Sequence, residues 1–207
     1  ALGRVATHTG ERCIAFAGDV QGEGFGAQAN LMASPEVWPA MARAFEAASG
    51  PLTRRLLAAL VAAEAHGGDA RGRQSAALLV VPAAGEPWQR TVELRVEDHP
   101  EPVEELGRLL DLHDAYELAD RADALIGEGR FDEATDAYQR AGALAPGNHE
   151  LLFWAGLAAA QAGDLPTAVE RVRGAIALHA GWQDLLERLE PDVAPGAAAV
   201  REALASG

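Results

Sequence analysis

The chain has 207 residues, 17 of them basic and 31 acidic, for a net charge of −14, so nucleic acid is not an expected partner because a polyanion would be repelled. All 17 basic residues are arginine, which removes from this chain the lysine of a Walker-type phosphate loop, of a kinase strand and of a pyridoxal Schiff base. Cys13 is the one cysteine, so neither an intrachain disulfide nor a multi-cysteine zinc or iron–sulfur site can form, and no cofactor is expected.

In chain order, Ala1 opens almost directly in strand-like sequence with no initiator Met, so residues upstream are expected. Short strands are predicted over residues 4–9, 13–17 and 25–32, separated by Gly10–Glu11 and by a loose turn over residues 18–24. Cys13 falls in such a strand, where a buried structural thiol and a reactive thiolate are the two readings. The period then changes. Ser34 is placed to cap a helix with Pro35 at its first position, and Val37, Met41, Ala44, Phe45 and Ala48 share one apolar face. Gly50–Pro51 separates this helix from a second, in which Leu56, Leu57, Leu60 and Val61 face inward until Gly67–Gly68 ends it.

Residues 67–77, GGDARGRQSAA, hold the densest polar cluster and join that helix end to a strand over residues 75–81. Three glycines permit close backbone approach beside Asp69, Arg71, Arg73, Gln74 and Ser75. In one reading the arginines are forks for a carboxylate or phosphate, oriented by Asp69, with Ser75 as a donor. In the other, Asp69 is paired to Arg71 or Arg73 in a salt-bridged turn. A further strand follows over residues 90–96. The run Glu97-Asp98-His99 with Glu101 offers mixed oxygen and nitrogen ligands for a divalent ion, or is a solvated loop before Pro102; no metal is assigned.

The blocks GRVATHTGERC, GFGAQANLMASPEVWPAMARAFE, GGDARGRQSAALLVV and VELRVEDHPEPVEELGRLLDLH, in this order across residues 1–113, resemble domain-of-unknown-function family 1028, which has an Ntn-hydrolase-like fold. Ala29 departs from the glycine usual there. The resemblance implies that strands precede residue 1. It also implies amide hydrolysis on a small or peptide-derived substrate by an N-terminal Ser, Thr or Cys. Ala1 cannot serve, so the nucleophile would lie outside this chain. Asp69, Arg71, Arg73, Gln28 and Asn30 are the candidates for substrate and oxyanion contacts.

A helix is expected to start near Pro102, and behind it residues 114–147 and 148–181 superimpose at a period of 34, the tetratricopeptide spacing. Leu118, Ala122 and Leu125 form one stripe, Gly129–Arg130 the turn, and Ala134, Tyr138 and Ala141 the next. Leu152, Gly156 and Ala159, Gly163–Asp164, and Ala168, Val172 and Ala175 repeat the plan. This resembles the tetratricopeptide family, with Ala180 in place of a terminal proline. Two such units need caps, and residues 182–189 and 197–205 are apolar at helical spacing. Grooves of this kind bind peptides, but this one would be acidic, with Arg121, Arg140, Arg171 and Arg173 its only cations.

The expected class is therefore α+β: a partial Ntn-hydrolase-like layered α/β domain over residues 1–112, then an all-α tetratricopeptide-like module over residues 113–207. The apolar run 151–160 is too short to cross a bilayer and no signal peptide opens the chain, so a cytoplasmic protein without a membrane partner is expected. Two functions stand open. One is amide hydrolysis of a small-molecule or peptide substrate; the other is a non-catalytic scaffold that binds a protein partner or self-associates through its helical repeats.

Overall fold

The computed structural model describes residues 3–86 and 88–206; Ala1 lies outside them. The chain is a mixed α+β structure in two compact units, Ala1–Leu110 and Asp111–Gly207.

The first unit begins with β1 (Gly18–Gly22) and β2 (Phe25–Ala29), an antiparallel pair in the register Gly18↔Ala29 to Gly22↔Phe25. The two-residue connection turns at Gly24, whose φ of +77° suits glycine. This corrects the expected strands over 4–9 and 13–17 and the expected loose turn over 18–24. Glycine in β1 is a matter of packing: a Cβ on Gly18 would lie 2.3 Å from the Trp38 ring. The alternation of Val5, Thr7 and Thr9 is real, but it marks a segment lying against the hairpin. A Cβ on Gly26 would lie 2.6 Å from Thr7 Cγ2. Thr7 and Thr9 both donate to Asp19, and Gln21 Nε2 donates to Thr7 Oγ1 at 2.9 Å. Side chains replace the backbone ladder that the alternation suggested.

Helix α1 (Val37–Ala47) starts later than expected, because its first backbone bond runs from Ala40 N–H to Glu36 O. The cap position is Glu36; Ser34 Oγ accepts from Glu36 N–H at 3.3 Å in the turn just ahead of the helix and donates to His66 O at 2.9 Å. Helix α2 (Leu52–Ala65) packs back on α1, with the Arg55 guanidinium 4.0 Å from the Phe45 ring centre and Arg55 Nε donating to Phe45 O at 3.2 Å. Gly67 and Gly68, at φ +110° and +57°, end α2. The antiparallel pair β3 (Ala76–Val80) and β4 (Val92–Val96) follows. Leu78, Val92, Val96 and Leu106 form its core with Leu56, Leu57 and Leu60 against them. Val61, expected to face inward, is 52% exposed.

Helix α3 (Pro102–Gly127) is one uninterrupted helix where two were expected, since no proline or paired glycine breaks the chain near His113. Then come α4 (Phe131–Leu144), α5 (His149–Gln161), α6 (Leu165–Leu178), α7 (Gly181–Arg188) and α8 (Ala197–Ala205). Positions 34 apart are buried alike: Ala122 and Gly156, Ala134 and Ala168, Tyr138 and Val172, Ala141 and Ala175. Gly129 and Gly163 turn between helices at φ +75° and +90°. Asn148 caps α5, accepting from Glu150 N and Leu151 N, and Asp164 caps α6 at Thr167 N. Helix α5 is apolar nearly all round and is covered accordingly. One stripe meets α4 and α6, while Phe153 and Leu157 share a core with Leu186, Ala194, Ala197 and Val200. Phe153 stacks on Trp182 at 4.5 Å. No described helix is long and apolar enough to cross a membrane.

Candidate functional site

The polar cluster sits where α2 hands over to β3. Its backbone is pinned to the end of the first hairpin: Ala33 N–H donates to Gly68 O at 2.9 Å, Ala70 N–H to Leu31 O at 2.8 Å, and Met32 forms a bridge with Asp69. Asp69 accepts from the Arg71 backbone at 2.8 Å, from Arg71 Nε at 2.9 Å and from Arg71 Nη2 at 2.7 Å. These bonds to the charged form hold the Asp69 carboxyl down at about 2. Arg73 is shared between Glu64, at 2.5 Å through Nε, and Glu101, through Nη1, and both carboxylates raise its pKa.

A cavity of about 450 Å³ opens here, lined also by Gln74, Ser75, Asp98 and Pro102. Four carboxylates (Glu64, Asp69, Asp98, Glu101) surround two guanidiniums (Arg71, Arg73), so the site is net negative and both cations are already paired. An anionic ligand would have to displace a carboxylate. The Gln74 and Ser75 side chains have no hydrogen-bond partner among the described residues, and no base is bonded to the Ser75 hydroxyl that could activate it.

The other expected contacts do not line this cavity. Gln28 Nε2 donates to His8 O at 3.1 Å and Gln28 lines a different cavity. Asn30 is exposed, two residues before the bridging Met32. Cys13 is exposed and outside any strand, which corrects the buried reading. The run 97–101 disperses its side chains: Glu97 pairs with Arg95 at 2.8 Å, His99 Nδ1 accepts from Glu101 N, and Glu101 pairs with Arg73. Among the described residues no cluster of three such groups is placed to hold a metal. What the reading of residues missed is Glu64 and Glu101 as partners of Arg73. Glu64 lies one turn before the helix-ending glycines, a position from which a side chain can reach the following loop.

A second cavity, of about 620 Å³, lies between the two strand pairs. It is lined by Gly24 to Gln28 of the first pair, by Ala77, Leu78 and Leu79 of β3, and by apolar residues of α1 and α2, with no charged residue.

The model of a family of unknown function, DUF1028, matches residues 1–106 of the 207. This chain belongs to DUF1028. The crystal structure of a Silicibacter pomeroyi protein assigned to DUF1028 is similar at 37% identity, with a TM-score of 0.45 over 52% of this chain and 45% of that one. The chain thus spans less than half the length of that DUF1028 relative. No curated protein matches it.

Proposed function

We propose that this DUF1028 chain is a non-catalytic binding and assembly module, made of a partial Ntn-hydrolase-like layered α/β unit and a tetratricopeptide-like helical unit. The equal burial of positions 34 apart supports the second description. The cavity between the strand pairs supports the function. A strand that presents one face to a cavity contributes alternate residues. Here consecutive residues of β2 and β3 line it, so both strands border it edge-on. Each has a single neighbour among the described strands. Unpaired edges beside an uncharged apolar floor suit an extended apolar strand, added by backbone pairing. In a solution of this chain alone, a second copy supplies that strand.

The test is analytical ultracentrifugation across a concentration series. Self-association that is lost in Leu79→Lys, with far-UV circular dichroism unchanged, supports the reading; a wild-type chain that stays monomeric throughout removes it.

Amide hydrolysis of a small or peptide substrate, with the nucleophile supplied from outside this chain, keeps one observation in its favour. The unpartnered Gln74 and Ser75 side chains face an open cavity beside Arg71. In a longer polypeptide, Arg73→Ala should then lower amide turnover at least ~10-fold through loss of positioning. Undiminished turnover in both Arg73→Ala and Asn30→Ala would remove this reading.

A further inference from the structure

Arginine in the helical unit is mostly occupied. Arg130 pairs with Glu128 at 2.8 Å and Glu133 at 2.6 Å, and Arg140 with Asp136 at 3.8 Å. Arg201 is bonded to two backbone carbonyls. Arg121 and Arg173 have no ion pair among the described residues but lie exposed. Arg171 differs from all of these. It is half-buried, it has no carboxylate partner among the described residues, and its one hydrogen bond is a long 3.4 Å donation from Nη1 to Ala155 O. Asp164 senses its charge, but the Asp164 carboxylate is engaged at Thr167.

Arg171 lines a cavity of about 310 Å³ between α4, α5 and α6. No acidic residue lines that cavity, in a unit where carboxylates greatly outnumber guanidiniums. Its walls include Gly142, Ala145, Leu151, Leu152 and Ala155, and the Tyr138 ring closes one side with its hydroxyl turned away to Asp123. Asn148 uses its Oδ1 to cap α5, and its Nδ2 makes only a 3.5 Å contact with Tyr116. The cavity therefore offers one guanidinium, the side-chain amides of Gln139 and Asn148, and an otherwise largely apolar lining.

From this geometry we infer a binding site for a carboxylate carried on a short aliphatic chain, with the carboxylate on Arg171 and the chain running along Ala155, Leu152 and Leu151 toward Asn148. Charge complementarity selects the ligand. A cation would be repelled by the guanidinium, and a neutral apolar molecule would desolvate it with only its long bond to Ala155 O in place. A carboxylate completes the fork. The volume accommodates a short aliphatic acid or the terminal leucine of a peptide. Such a group is presented either by a free aliphatic acid or by the C-terminus of a peptide ending in leucine.

The experiment titrates the full chain with hexanoate and, separately, with a short peptide ending in leucine, each against its uncharged amide, by calorimetry and amide NMR. Binding of at least one acid is expected, at least ~10-fold tighter than its amide, because a charge-assisted bond is lost. Which acid binds identifies the source. Arg171→Gln should weaken binding at least ~10-fold, whereas Arg173→Gln on the same helix should leave it unchanged. Gly142→Leu, where a Cβ meets no atom within 4 Å, should block the cavity in a folded protein. The inference is overturned if neither acid binds, if the amides bind as well as the acids, or if Arg171→Gln or Gly142→Leu binds like the wild type.

Discussion

Asp69 accepts three hydrogen bonds from a single residue, Arg71, and the folded carboxyl titrates at about 2 in place of 3.8. A carboxyl whose folded pKa is lowered contributes stability that is present above the ordinary value and lost as pH falls through the folded value. The stability difference between wild type and Asp69→Asn should therefore be constant above about pH 5 and shrink between about pH 4 and pH 2, as followed by urea denaturation. In Arg71→Ala the Asp69 midpoint should return toward the ordinary carboxylate range in a carbon-detected NMR titration. An Asp69 that still titrates near 2 in that variant would show that the turn backbone holds it down instead. The Asp69–Arg71 turn was among the alternatives readable from residues, since Asp two positions before Arg behind paired glycines is a local pattern. The Arg73 pairs were not readable. Glu64 lies in α2 and Glu101 in the loop just before α3, on either side of Arg73, and no short-range periodicity encodes a meeting made by the fold.

At the scale of elements, Gly156 and Gly174 make opposite predictions from one residue type. A Cβ on Gly156 would sit 2.7 Å from Val172 Cγ2 and 3.1 Å from Ala168 O, so α5 and α6 would have to part. Gly156→Ala should destabilise by about 1–3 kcal/mol, the strain exceeding the gain of up to ~1 kcal/mol in helix propensity. A Cβ on Gly174 meets nothing within 4 Å. Gly174→Ala should stabilise by about 0.5–1 kcal/mol, both measured as shifts of the urea midpoint. The helical unit was the more legible half because its spacing is set by local helix geometry: Ala122, Gly156, Ala134 and Ala168 fall where close approach demands small residues. The front hairpin was misplaced because period two is shared by a strand inside a sheet and by a segment lying across one. Thr7 and Thr9 reach Asp19 by side chains, and the identity of a hydrogen-bonding partner is absent from alternation. Helix α3 was expected as two helices, one from Pro102 and one in the first repeat, because the period of 34 marks where a repeat starts and not whether the helix before it ends.

At the scale of the molecule, a net charge of −14 opposes any association of two copies, because like-charged bodies repel until salt screens them. Association through the uncharged cavity between β2 and β3 must overcome that repulsion by apolar burial and backbone pairing. Two consequences separate this from loose electrostatic aggregation. Raising NaCl from low to roughly 0.5 M should tighten self-association several-fold, since screening removes the repulsion while apolar contact persists; weakening instead would show that complementary charges carry the contact. Leu79→Lys supplies the second. Leu79 is 53% exposed and lines the cavity, and the substitution lowers the magnitude of the net charge from −14 to −13. Were charge the determinant, that variant would associate slightly better than the wild type. If the strand edges and their apolar floor are the determinant, it should associate far less, because an ammonium in the cavity has no partner there and must be desolvated. Sedimentation at low and high salt, for both proteins, distinguishes the two by sign.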